Sequence, residues 1–133
     1  GRYSLLVMID LTENKSDDFI PLRDIAKRQD ISEKYLESII KLLVKNKLVV
    51  GLRGKGGGYK LTGHPSDITV GAVLRIAEEN IMIDDEDTES MYRTSEYRTI
   101  DMWSNLSKMI NDYFDNISIA DLIVEDPGND FVI

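Results

Sequence analysis

The sequence predicts a mainly α-helical chain carrying one small β-hairpin. Apolar residues recur at helical intervals across 22–26, 36–44, 70–77 and 103–117. The stretch GLRGKGGGYKL, residues 51–61, sets five glycines and three cationic side chains beside two short β-favouring runs, LVV and YKL. At 133 residues and 42% hydrophobic content, the chain has room for one core of ordinary size.

Residues 3–13 read as a helix with apolar side chains on most sides, hence buried nearly all round. The acidic segment ENKSDD makes the first loop. Pro21 suits the first turn of a second helix, which carries Leu22, Ile25 and Ala26 inward and Arg23, Lys27 and Arg28 outward. After a break at Gln29-Asp30-Ile31, Ser32 offers an N-cap with Glu33 in the first turn. The third helix, 32–46, turns Leu36, Ile39, Ile40, Leu43 and Val44 inward. Lys34, Glu37, Ser38, Lys41 and Lys45 take the opposite face. Two short helices joined by a three-residue turn form a helix-turn-helix.

The hairpin follows, ended by His64-Pro65. Thr69 or Asp67 caps a fourth helix, TVGAVLRIAEE, and residues 83–99 read as an exposed acidic loop. In the long helix, 99–117, Trp103, Leu106, Ile110, Tyr113 and Ile117 form a wide apolar stripe, either core or interface. Ser118 starts a last short turn before the tail. The division expected is 1–80 for the helix-turn-helix and hairpin, 81–98 for the acidic loop, and 99–133 for the long helix and tail.

With no cysteine, the chain has no disulfide, thiolate metal site or thiol nucleophile. That fits a reducing cytoplasm. No run of about 18 apolar residues spans a membrane, and Asp10 interrupts the short apolar segment near the start, so no signal peptide is expected. The net charge of −8 conceals an uneven distribution. Residues 1–65 hold 12 Lys/Arg against 8 Asp/Glu (+4), whereas residues 66–133 hold 4 against 16 (−12). Only the first half suits a polyanion.

The glycine-rich stretch is not a phosphate loop. Its Gly51-Leu52-Arg53-Gly54-Lys55 spacing is wrong, no Ser or Thr follows the lysine, and a strand follows where a helix N-terminus is needed. A hairpin directly after a helix-turn-helix, with Arg53 and Lys55 at its tip, reads instead as a wing. Its glycines permit close approach to a sugar-phosphate wall.

Residues 19–79, through PLRDIAKRQDISEKYLESIIKLLVKNKLV, LRGKGGGYKL and SDITVGAVLRIAEE, resemble the bacterial winged helix-turn-helix regulators that include IscR, NsrR and CymR. The opening GRY also matches the start of that family's first helix. The resemblance implies a homodimeric, sequence-specific regulator of transcription, usually a repressor, acting on a pseudopalindromic operator. The long helix would form the subunit interface through Trp103, Leu106, Ile110, Tyr113 and Ile117. By position, the recognition helix would read DNA with Ser32, Lys34, Tyr35, Glu37 and Ser38, and the wing with Arg53. Lys41 and Lys55 share that cationic face, which makes them candidates for phosphate contacts. Glu37 in a groove can accept from a cytosine amino group. Tyr35 could pack under the helix or bond a phosphate through its hydroxyl, and Arg2 and Tyr3 could add backbone contacts.

Two departures stand out. Asp30 occupies a position where the family commonly has glycine; aspartate tolerates a left-handed turn. Several relatives hold an iron–sulfur cluster with three cysteines between the fourth and long helices. Here that segment, IMIDDEDTESMYRTSEYRT, has none, so the chain resembles the clusterless branch, and no cofactor is expected. Some members of that branch respond to a protein partner or a small metabolite.

The acidic run Asp84, Asp85, Glu86, Asp87 and Glu89 lacks the spacing of a calcium loop and reads as solvated. His64 reads as a turn residue. One histidine and no paired nucleophile and base argue against an enzyme. A winged-helix protein–protein adaptor that has lost DNA binding is the remaining alternative.

Overall fold

The computed structural model of the chain describes residues 1–14, 18–77 and 98–123. Three helices come first: α1 (Arg2–Glu13), α2 (Leu22–Gln29) and α3 (Glu33–Lys45). An antiparallel hairpin follows, β1 (Val49–Leu52) with β2 (Gly58–Leu61), paired in the register Val49↔Leu61 to Leu52↔Gly58. A 3₁₀ turn (Pro65–Asp67) leads to α4 (Val70–Ala77). Then come α5 (Ile100–Asp115) and a second 3₁₀ turn (Ala120–Leu122). This is the mainly α fold with one hairpin that the sequence predicts. The acidic loop up to residue 97, its run at 84–89 and the tail beyond 123 lie outside the described residues.

The core gathers Val7, Met8 and Leu11 of α1 with Ile25 of α2, Leu36, Ile40 and Leu43 of α3, and Val73 of α4. α1 is less enclosed than its composition suggests, since Leu5, Leu6 and Ile9 stay half-buried. Its burial instead includes a charge. Asp10 is 1% exposed and accepts three hydrogen bonds: Arg28 Nε (3.0 Å) and Nη2 (2.8 Å), and Gln29 Nε2 (2.8 Å). Burying a carboxylate is tolerable only with such partners. Arg28, expected to point outward, bends back to Asp10, and this hydrogen bond raises its pKa above the ordinary value. The clasp fastens α1 to the end of α2, just where the chain must reverse.

The reversal uses left-handed residues. Asp30 has φ 53° and ψ 50°, and Ile31 N–H donates to the Ala26 carbonyl (3.0 Å). Aspartate therefore serves where glycine would be easier. α3 ends alike at Lys47 (φ 63°), with Lys47 N–H to the Val44 carbonyl and Leu48 N–H to the Leu43 carbonyl, both 3.0 Å. Ser32 caps α3, its Oγ accepting from Tyr35 N–H (3.2 Å). Thr69, not Asp67, caps α4, accepting from Ala72 N–H (3.0 Å).

Pro21 does not enter α2. Its ψ of 143° keeps it extended, because Ile20 is held as a third strand residue beside the hairpin. Ile20 and Tyr59 exchange backbone hydrogen bonds of 2.9 and 2.8 Å. A Cβ on Gly58 would lie 2.3 Å from the Ile20 carbonyl oxygen, so only glycine permits this contact.

α5 is shorter than expected. It ends at Asp115, and Ile117 packs inward against the core rather than continuing the stripe. Val70 N–H donates to Ile117 O and Ile119 N–H to Ile68 O, both 2.8 Å, and Ile119 is fully buried. Arg75 of α4 reaches Asn111 (3.0 Å) and pairs with Asp115.

Asp10→Ala should lower the unfolding free energy by about 3 kcal/mol in urea titration. A larger loss is not expected, because the Arg28 side chain is 37% exposed and can turn to water.

Candidate nucleic-acid interface

A cleft of about 1040 Å³ opens between the outer face of α3 and the hairpin. Cationic and apolar groups line it together: Arg23, Lys41, Val44, Arg53 and Lys55, with Glu37 on the helix wall. Glu37 and Lys41 form an exposed i,i+4 pair at 3.5 Å. Such a pair contributes little to stability and leaves both groups available to a ligand.

The hairpin tip is built for close approach. Gly57 N–H donates to the Gly54 carbonyl (2.9 Å), and Gly54 and Gly56 take φ of 92° and 76°. Nothing lies within 4 Å of where a Cβ would stand on either, so the tip presents bare backbone on both sides of Lys55.

Four of the residues singled out from sequence, Glu37, Lys41, Arg53 and Lys55, thus meet in one concavity. Ser32 stands at the N-terminus of α3 with Lys34 exposed in its first turn. Tyr35 and Ser38 take another flank. Tyr35, 50% exposed, does not pack under its helix; it meets Tyr3 of α1 edge-on, ring centroids 5.5 Å apart. Ser38 Oγ donates to the Tyr35 carbonyl (2.7 Å), leaving its lone pairs outward.

Two cleft residues were not singled out for the site. Arg23 reads from sequence only as an outward cation, and nothing local places α2 beside the wing. Val44, assigned to the buried face, is 38% exposed, because α3 already fills its inner face with Leu36, Ile39, Ile40 and Leu43.

α5 presents a different surface. Trp103, Leu106, Met109 and Tyr113 are exposed, the last two by 67% and 65%, whereas Ile110 is half-buried. Large apolar side chains are thus exposed along one helix.

A capped helix exposed beside a glycine-tipped cationic hairpin defines the winged helix-turn-helix class of transcription regulators. The chain belongs to the Rrf2 family, whose model, described as an iron-dependent transcriptional regulator, matches residues 1–125. It is 37% identical over 124 residues to the HTH-type transcriptional regulator IscR of Yersinia pseudotuberculosis, covering 92% of this chain and 76% of that one. The IscR structure from T. potens superposes with a TM-score of 0.70 at 35% identity, over 91% and 80% of the two chains. The CymR structure from B. subtilis, titled as the global cysteine regulator, gives 0.71 at 29%, over 91% and 90%. The family is one of regulators, not enzymes. Among the described residues no helix is long and apolar enough to cross a membrane.

Clusters of iron and sulfide are held chiefly by cysteine thiolates, and the chain has no cysteine. Among the described residues no three His, Cys, Asp or Glu side chains gather around a common point. The residues present do not fit such a group.

Ser32→Ala should destabilise the protein by about 1 kcal/mol, and Ser32→Gly by only a few tenths, as measured by thermal melting.

Proposed function

We propose that the chain is a cytoplasmic, homodimeric, sequence-specific DNA-binding repressor that works without an iron–sulfur cluster. One observation carries the DNA reading: Arg23, Lys41, Arg53 and Lys55 converge on a single cleft in a protein whose net charge is −8. Concentrated positive charge beside an exposed helix displaces counterions from duplex DNA, whereas the acidic second half repels it.

In this reading residues 1–80 are the DNA-binding unit, 81–98 an acidic link, and 99–133 the dimerising segment with its tail. α3 enters the major groove. Ser32, Lys34, Tyr35 and Lys41 hold phosphates, while Glu37 and Ser38 face base edges. Arg53 and Lys55 lie along the neighbouring minor groove, and Arg23 joins them as a further phosphate contact.

Trp103, Leu106, Ile110 and Tyr113 make the dimer contact, with Met109 beside them; Ile117, turned to the core, does not take part. What supports it is the apolar exposure of α5, which water does not favour. A two-fold dimer would present two wings to a pseudopalindrome with half-sites about 34–36 Å apart, or a multiple of that. The repressor sense is carried by the resemblance of residues 19–79, and the absence of a cluster by the absence of cysteine. Control then falls to a protein partner or a small molecule.

Arg53→Ala with Lys55→Ala should weaken operator binding and lower the slope of log K against log salt by about 2, measured by fluorescence anisotropy. The double variant should melt within a degree or two of the parent. Met109→Glu should convert dimer to monomer in sedimentation velocity and weaken operator binding at least about tenfold.

A further inference from the structure

α5 is tied to α4 in two different ways. Just past its C-terminal end the tie is backbone: Val70 N–H donates to Ile117 O, Ile119 N–H to Ile68 O, and Thr69 bridges Ser118 in antiparallel fashion. Earlier in the helix the tie is a side chain. Arg75, in the last turn of α4, spreads its guanidinium over two residues of α5. Nη1 donates to Asn111 Oδ1 (3.0 Å) and Nη2 to Asp115 Oδ1. Gly71 makes room for this. A Cβ on it would overlap Asp115 Oδ1 and stand 3.2 Å from Arg75 Nη1, so the carboxylate is seated over a residue with no side chain.

We infer that Arg75 is a positioning residue: its fork across Asn111 and Asp115 fixes the direction in which α5 leaves the winged unit, and thereby the operator spacing that the dimer accepts. The second part rests on the reading as a homodimeric DNA regulator; the first does not.

A rod held at one end pivots, whereas a rod held at separate places along its length does not. Asn111 and Asp115 lie one turn apart, about 6 Å along the axis. The planar guanidinium donates in fixed directions. Phe114 packs against the core between them, but apolar contact alone is non-directional and lets a helix roll or slide. Ile100, at the far end, is buried too, outside the main core cluster, and the same limit applies to it.

The consequence grows along the helix. Met102, exposed near its start, lies nine residues from Asn111, about 14 Å. A pivot of about 15° at the fork carries Met102 about 4 Å, comparable to the rise of one base pair, about 3.4 Å. Stability is a lesser matter. Arg75 and Asp115 are 45% and 40% exposed, and such pairs contribute little to the folding free energy.

The test uses the full chain. With no native cysteine, introduced ones are unique labels. Lys34→Cys on α3 and Asp101→Cys on α5, both exposed, take spin labels in protein diluted with unlabelled chain. Pulsed electron paramagnetic resonance then reads the distance within one protomer. The parent should give one narrow distribution. Arg75→Met and Gly71→Ala should each shift or widen it by about 3 Å or more, the scale of the lever. Arg75→Lys keeps a charge for Asp115 without the fork and should fall between. All three should melt within about 4 °C of the parent. Gly71→Ala is the stricter probe, because alanine favours a helix over glycine.

For DNA, the probe is a pseudopalindromic duplex selected from random sequence on the parent, with one base pair then added or removed between its half-sites. That change turns one half-site by about 34–36° against the other. The parent should lose about tenfold or more in affinity, and Arg75→Met and Gly71→Ala less than about threefold.

The positioning role is overturned if both variants keep the parental distance distribution, or if they lose it only with a melting temperature more than about 4 °C lower. The spacing role is overturned if the variants discriminate spacers as the parent does, or if the parent does not discriminate. Should the parent select no duplex, the regulator reading and the spacing role fail together, and the distance measurement still decides the role of Arg75.

Discussion

The winged unit depends on a carboxylate placed where carboxylates are rarely found, inside the first helix. Asp10 is buried and would be unfavourable there alone. With Arg28 and Gln29 as donors it becomes a directional joint, unlike the non-directional apolar contacts around it. Hydrophobic packing brings α1 and α2 together; the clasp selects one angle between them. α2 leads through the left-handed Asp30 directly into α3, so that angle also sets the direction of the recognition helix.

The hairpin is oriented by the same logic, with backbone in place of charge. Ile20 borrows strand geometry from outside the hairpin and binds Tyr59 through both its N–H and its carbonyl, and Gly58 clears the space for it. Arg53 and Lys55 can then sit at a glycine tip and still be aimed, because the root below them is held. Cleft and wing are two views of one rigid base.

Much of this was legible in the sequence because the signals are local. The caps at Ser32 and Thr69, the turn at Asp30, the apolar period of α3 and the glycine-tipped hairpin each lie within one short window. What escaped reading is long-range. The donors to Asp10 lie 18 and 19 residues away, so the residue looked like an interruption in an apolar run. Arg28 looked like solvent-facing charge for the same reason. Arg23 joins the cleft only because Pro21 and Ile20 tie the start of α2 to the hairpin. Val44 fits the helical period but stays partly exposed at the cleft, since periodicity reports which residues share a face and not how wide the opposing surface is.

The full burial of Ile119 bears on how the protein is made. An isoleucine taken wholly out of water contributes about 2–3 kcal/mol, and this one arrives late, after the long helix, to sit beside strands of backbone near residues 68–70. A ribosome that has released only the helix-turn-helix and hairpin has produced an unfinished interior. Translation must continue past residue 119 before the core can close around Ile119.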